Sequence, residues 1–260
     1  MLIDSHCHLN HLRLDDGLTI EKVVQNAKSK GINKIISIST TLEEVQTIAD
    51  TASAFQNVYY SVGVHPSETE GVQPVDAQTI IDYIDADKAH KCVAIGETGL
   101  DYFYNEPKSY QLQKQKFIAH VEAAKILKKP VIVHTRAAKE DTLSILKDYN
   151  IECCGGVLHC FTEDWDMANQ ALNMGMYISI SGIVTFKNAQ DVQEMAKKIP
   201  LDRLLVETDA PYLTPIPYRG KPNYPEYVYY VAEFLAKLRG EDFEEFCIVT
   251  KANTMKLFQI

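Results

Sequence analysis

Eight short apolar runs, each followed by a polar or amphipathic stretch, recur between residues 2 and 206, and this alternation restricts the fold more than any other feature of the chain. The runs occupy residues 2–3, 34–38, 58–62, 92–95, 131–133, 156–158, 176–180 and 204–206. Many are β-branched and lack the polar alternation of a half-exposed strand, as expected for parallel strands covered on both faces. Between them Ile20, Val23, Val24 and Ala27 repeat at helical spacing, as do Val45, Ile48, Ala49 and Ala52. Further helices are expected near 109–128, 138–149, 164–174 and 188–198, and two more, near 225–239 and 242–258, follow the eighth run. A single (β/α)8 TIM barrel over residues 1–260, closed by an extra C-terminal helix, fits this order and the length of 260 residues. A doubly wound open sheet would usually carry a Gly-rich phosphate loop after its first strand, where His6-Cys-His8 stands instead.

The chemistry gathers where the apolar runs stop. Side chains alternate across a strand, so His6 and His8 project to one side and Cys7 to the other. An isolated His-x-His behind an initiator Met reads equally well as a surface pair, but the rest of the chain decides otherwise. His65 follows the third run, Glu97 and Asp101 the fourth, His134 and Arg136 the fifth, His159 the sixth, and Glu207 and Asp209 the eighth. In a parallel barrel all these strand ends surround one mouth. A nitrogen-and-oxygen donor set without a committed thiolate suits two divalent cations bridged by a carboxylate, with Mg, Mn and Zn all compatible. Glu97, on the fourth strand, is the natural bridge. The remaining imidazoles read differently: His90 and His120 as structural or solvated, His11 as supporting or surface. Tyr102, Phe103 and Tyr104 read equally as loop packing or as a surface for a base.

Composition narrows the partners. With 26 Lys and Arg against 35 Asp and Glu, the formal charge is −9, which argues against a broad basic face but leaves room for a local grip on phosphate. The six cysteines form no CxxC pair, and Cys7, Cys153, Cys154 and Cys160 read as small core residues with reduced thiols. No basic leader or stretch of membrane-spanning length is visible, so a cytoplasmic protein without a membrane or an obligate protein partner is expected.

Eight segments together carry a family resemblance. They are Asp4-Ser-His-Cys-His8, Gly63-Val-His-Pro66, Gly96-Glu-Thr-Gly-Leu-Asp-Tyr102, Pro130-Val-Ile-Val-His-Thr-Arg136, Gly156-Val-Leu-His-Cys-Phe161, the stretch from Tyr177 to Asn188, the stretch from Leu205 to Leu213, and Pro217-Tyr-Arg-Gly-Lys-Pro-Asn223. With them the chain resembles the TatD family of metal-dependent deoxyribonucleases, a branch of the amidohydrolase-like barrels, along nearly its whole length. The resemblance implies that His6, His8, Glu97 and Asp209 hold one metal, and that Glu97, His134 and His159 hold a second. It places His65, Asp101, Arg136, Glu207, Arg219 and Asn223 near the substrate or behind the ligands. Two positions depart from the family pattern: Ala137 follows Arg136 where an acidic residue is common, and His120 stands where Gln is common.

The chemistry expected of such a site is hydrolysis of a phosphodiester by a water that two cations make acidic. Glu97, Asp209 and Glu207 are the expected catalytic carboxylates, with Glu207 or Asp209 taking the water's proton. His65, Asp101, Arg136, Arg219 and Asn223 are the expected substrate contacts, the arginines through phosphate oxygens. The resemblance implies 3′-to-5′ exonuclease activity, mostly on single-stranded DNA ends. The same activated water could attack a carboxylic ester or amide, as in a D-aminoacyl-tRNA deacylase. A non-catalytic binding protein would be expected to have lost ligands, and here the set is complete.

Overall fold

The computed structural model describes residues 1–15, 17–69 and 75–260. Its eight strands are β1 (Leu2–Cys7), β2 (Ile32–Ser37), β3 (Val58–Val62), β4 (Cys92–Asp101), β5 (Val131–Arg136), β6 (Gly156–Leu158), β7 (Tyr177–Ile180) and β8 (Leu204–Val206). They form one parallel sheet in sequence order. Loop backbone draws the β1 and β8 sides together: the Asp209 N–H donates to the His6 carbonyl at 2.9 Å and the His8 N–H to the Ala210 carbonyl at 2.7 Å. The barrel is therefore joined across the two segments that carry the first histidines and the last carboxylate.

Helices α1 (Ile20–Ser29), α2 (Val45–Ala54), α3 (Ala77–Asp85), α4 (Pro107–Leu127), α5 (Lys139–Asp148), α6 (Trp165–Asn173), α7 (Gln190–Lys198) and α8 (Val228–Arg239) surround the strands. The expected extra helix is α9 (Phe243–Phe258). Thr19, Asp76, Asp164 and Asp242 each accept a backbone N–H in the first turn of α1, α3, α6 and α9, a cap worth about 1 kcal/mol. Helix α3 is absent from the sequence reading above. It is short, and its buried Ile80, Ile81 and Ile84 pack it beside α4 and β3. Among the described residues no helix is long and apolar enough to cross a membrane.

Two apolar clusters share the load. The larger lies between strands and helices, and includes Val24, Ile48, Phe117, Leu146, Met167 and Leu235. The smaller brings Val93, Ile132, Val157, Tyr177 and Leu205, all at or near strand starts, together with Leu257 and Phe258 from the end of α9. Helix α9 therefore packs at the N-terminal end of the barrel, leaving the opposite end to the polar residues. Burying each such side chain contributes roughly 1.5–3 kcal/mol.

Glycine is demanded where strands must nearly touch at that polar end. A Cβ on Gly63 would lie 2.4 Å from the Gly96 backbone, and one on Gly99, at φ +133°, would lie 2.0 Å from the His134 carbonyl oxygen. Both contacts bring β4 close to its neighbours beside Glu97 and His134.

Candidate metal centre

Glu97 lies at the middle of the mouth, almost wholly buried, and its two oxygens face different neighbours. Its Oε2 is 3.4 Å from His6 Nε2 and 3.8 Å from His8 Nε2. Asp209 Oδ1 completes that group at 3.6 Å from His6 Nε2 and 3.5 Å from His8 Nε2. The two imidazole nitrogens are 3.3 Å apart. On the other side, Glu97 Oε1 meets His159 Nε2 at 2.7 Å, His134 Nδ1 at 3.2 Å and His65 Nε2 at 3.4 Å.

These spacings suit cations. Metal–ligand distances of about 2.0–2.2 Å place tetrahedral ligand atoms roughly 3.4 Å apart. The five separations given above for His6, His8, Glu97 and Asp209 fall close to that edge length. Buried polar atoms are also left without a well-aligned hydrogen bond: His6 Nδ1, and both ring nitrogens of His159 although carboxylate oxygens of Glu97 and Glu207 lie 2.7 and 3.4 Å away, a costly state for buried groups without a further ligand. Three sets of closely spaced donors, His6/His8/Glu97, His6/His159/Glu207 and His65/Glu97/His134, can each hold an ion.

Outer contacts fix which nitrogen faces inward. His8 Nδ1 lies 3.1 Å from the Ile38 carbonyl, which can only accept, so Nδ1 carries the proton and Nε2 is free. His134 Nε2 donates to Asp101 Oδ2 at 3.0 Å, which frees Nδ1 toward Glu97. Glu207 Oε1 lies 3.4 Å from His159 Nδ1 and also accepts the Cys160 N–H at 2.7 Å. Asp4, at the entry to this network, accepts the Thr208 N–H and hydroxyl and so holds the residue between Glu207 and Asp209.

The electrostatics follow from packing. Burial pushes the Glu97 carboxyl up, but His159, His65 and His134 outweigh it and hold the group well below the usual carboxylate range. For Asp209 burial again pushes upward, and His8 and His6 win, leaving it lowered. His159 is disfavoured as a cation by burial, yet Glu97 and Glu207 hold it well above an ordinary imidazole. Burial pushes His65 down to about 3, with Glu97 opposing, and burial together with His159 also lowers His6.

The expected residues thus convene, although not all face the same way. His6, His8, Glu97, His134, His159 and Asp209 lie together at the mouth, and His65 joins them beside Glu97. Asp101, expected near the substrate or behind the ligands, is buried behind His134, with Oδ2 on that imidazole and Oδ1 on the Phe103 and Tyr104 N–H groups. Asn223, expected in the same two places, is fully buried with its amide donating to the Thr208 and Tyr212 carbonyls, so that it braces the segment carrying Asp209. The structure separates the pair expected to take a proton. Glu207 is wholly buried behind His159, whereas the Asp209 side chain keeps a 13 % exposed edge. Arg136 lies over the Phe103 and Tyr104 rings, and Arg219 over Phe186 at 3.8 Å. Among the described residues neither guanidinium has a hydrogen-bond or ion-pair partner. The chain after Arg136 is held by Glu163, whose Oε1 accepts the Ala137 N–H at 2.7 Å.

The other residues also resolve. His120 is structural: its Nε2 accepts the Val64 N–H and its Nδ1 donates to the Lys116 carbonyl. His11 pairs with Glu44 at 2.8 Å and stacks near His8. All six thiols are free, and Cys7 turns toward the Ile36 carbonyl and Cys160 toward Ser181. Cys153 is not a core residue as expected but exposed, because it closes a surface turn between α5 and β6.

Comparison with known proteins adds to the geometry. A family model described as TatD related DNase matches residues 3–259. The chain is 44 % identical over 260 residues to the uncharacterized metal-dependent hydrolase YcfH of Escherichia coli K12, covering 100 % of this chain and 96 % of that one. It is 33 % identical over 245 residues to the 3′-5′ ssDNA/RNA exonuclease TatD of Klebsiella pneumoniae, covering 92 % of each. Among solved structures, YjjV, a TatD homologue from Escherichia coli K12, superposes with a TM-score of 0.91 at 30 % identity, covering 100 % of this chain and 98 % of that one.

Proposed function

The chain belongs to the TatD related DNase family of metal-dependent hydrolases, and from that premise we propose that it trims single-stranded DNA from its 3′ end, using two divalent cations. The observation that carries this reading is the division of Glu97: Oε2 faces His6 and His8, while Oε1 faces His134, His159 and His65. One carboxylate shared between two imidazole groups is the arrangement expected of a paired site. The name borne by the Klebsiella relative supports a nucleic-acid substrate.

Bound cations of the Mg, Mn or Zn class supply Lewis acidity toward a phosphodiester and a water acidified toward neutral pH. The chain's own residues do the rest. Glu97, held ionised, contributes its negative charge to both groups at once. Asp209, ionised and partly open, accepts the attacking water's proton. Asp101 and Glu207 hold His134 and His159 in place. Arg136 and Arg219 present N–H edges to phosphate oxygens, gripping the strand without reading its bases.

An end-labelled oligonucleotide assay with each metal, run beside an aminoacyl-ester assay, tests the proposal. Stepwise shortening from the 3′ end, dependent on added metal, is expected. Ester cleavage without any strand shortening would overturn it.

A further inference from the structure

Two aromatic rings at the mouth have no part in the chemistry above. Phe103 and Tyr104, just beyond β4, are 61 % and 69 % exposed, an unusual state for large rings in a well-packed protein. Their neighbour Tyr102 is anchored: its ring stacks on Tyr110 at 3.6 Å between centroids, and its hydroxyl donates to Asp141 at 2.7 Å. The loop is fixed again from inside, where Asp101 Oδ1 accepts the Phe103 N–H at 3.0 Å and the Tyr104 N–H at 2.8 Å. The other oxygen of the same carboxylate holds His134. The rings are therefore displayed by a loop tied directly to the candidate metal centre. Arg136 covers both rings, 4.4 and 4.8 Å from their centroids.

We propose that Phe103 and Tyr104 form a stacking platform for an unpaired nucleobase beside the scissile phosphate, and that this platform sets the preference for single strands. The inference rests on the nuclease reading and specifies which part of the substrate is recognised. Three features on the page lead to it. The backbone beneath the rings is anchored while the rings themselves stay exposed, and their planes stand at 89° with centroids 4.8 Å apart, so that a base stacked on the free face of one ring meets the other edge-on. They lie at the metal mouth: His134 and Arg136 are two residues apart, at most about 7.6 Å between Cα atoms, so a base on the rings belongs to a nucleotide near the reacting phosphate. Their partner is a cation with no other ion pair among the described residues, which suits a ligand with an aromatic face next to an anionic backbone. A base inside a duplex has its faces covered by stacked neighbours, whereas an unpaired base can offer one to the rings. Because every base has such a face, the platform confers strand-type preference without sequence preference.

The test uses the metal-loaded protein and a single strand whose terminal linkages are phosphorothioates that resist cleavage. Binding is compared between this strand and one lacking bases at its two terminal positions. The double variant Phe103→Ala/Tyr104→Ala should bind the intact strand about 5- to 100-fold more weakly, yet match the unsubstituted protein on the base-free strand. Phe103→Trp/Tyr104→Trp should restore binding, and unchanged metal content shows that the variants are folded. Loss of Arg136 contact with phosphate would weaken both strands alike, so equal losses overturn the platform. No loss at all overturns it too, as does a change in oligomeric state without a change in strand binding, which would mark the rings as a self-association patch. If the unsubstituted protein neither binds nor trims any strand, the nuclease reading falls and the platform with it. Trimming by the unsubstituted protein with no defect in the variants sinks the platform alone.

Discussion

Asp101→Asn isolates the role of an outer carboxylate, because the structure dictates how the new amide must sit. Asp101 uses both oxygens as acceptors: Oδ1 for two backbone N–H groups, Oδ2 for His134 Nε2–H. Asparagine has one acceptor side and one donor side. Turning its oxygen toward His134 would leave its NH2 against the Phe103 and Tyr104 N–H groups, at about 1–3 kcal/mol for each donor left unsatisfied. The cheaper arrangement keeps the oxygen on the backbone and points the NH2 at His134 Nε2, which must then accept. The imidazole proton moves to Nδ1, the atom 3.2 Å from Glu97 Oε1, and blocks the lone pair that would face a cation. Loss of such an outer partner weakens metal binding about 10- to 100-fold, or about 1.4–2.7 kcal/mol. Competition with a chromophoric chelator resolves the two binding steps. We expect one step to weaken by that factor and the other, built on His6, His8 and Asp209, to stay within about threefold. Two unchanged affinities, or equal losses in both steps, would refute the assignment of His134 to one side of the centre.

Other outcomes follow from the same geometry. Glu97→Gln should lower retention of both metals after dialysis, whereas His134→Ala should lower mainly one; unchanged stoichiometry in Glu97→Gln would remove the bridge. Burial, helped by the Lys116 charge and opposed by the hydrogen bond to the Lys116 carbonyl, leaves His120 at about 4, so the unfolded chain takes up a proton near pH 6.5 that the folded protein refuses. Stability present above pH 6.5 should therefore drain away as the pH falls toward 4, by about 3 kcal/mol in all. His120→Gln, whose amide can serve both partners without titrating, should flatten that slope in urea melts, and an identical slope would show that the histidine is not responsible. Strand binding should depend weakly on salt, with a log–log slope of roughly 1–3 in magnitude, because the proposed site would meet phosphate with the metals and a few cations such as Arg136 and Arg219 on a chain of charge −9. A slope near 10 would require an extended basic track.

How much of this was legible in the sequence depends on where polarity and backbone pairing part company. The apolar runs at 58–62, 156–158 and 204–206 coincide with β3, β6 and β8 because those strands stop where their apolar residues stop. For β1, β4 and β5 the runs end at 3, 95 and 133, but the strands continue to Cys7, Asp101 and Arg136. The continuations contain His6, Glu97, Asp101, His134 and Arg136, polar side chains that line or support a site; the ladder shifts register around His6 and Glu97 and resumes beyond them. A hydrophobic reading sees loops there, although a residue such as Glu97 must be held by a rigid strand to share its oxygens between two groups. Convergence of the histidines and carboxylates was legible because strand direction alone sends them to one mouth. The division between residues that face inward and residues that hold them was not, since Asp101, Glu207 and Asn223 look in one dimension like any other polar residue at a strand end. Their roles follow from burial: each is packed beneath a neighbour with its acceptors or donors already engaged. Short strands thus supply the barrel and overlong ones much of its chemistry, and where a polar extension carries a glycine, as Gly99 does, the close approach to His134 that requires it becomes visible only once the strands are paired.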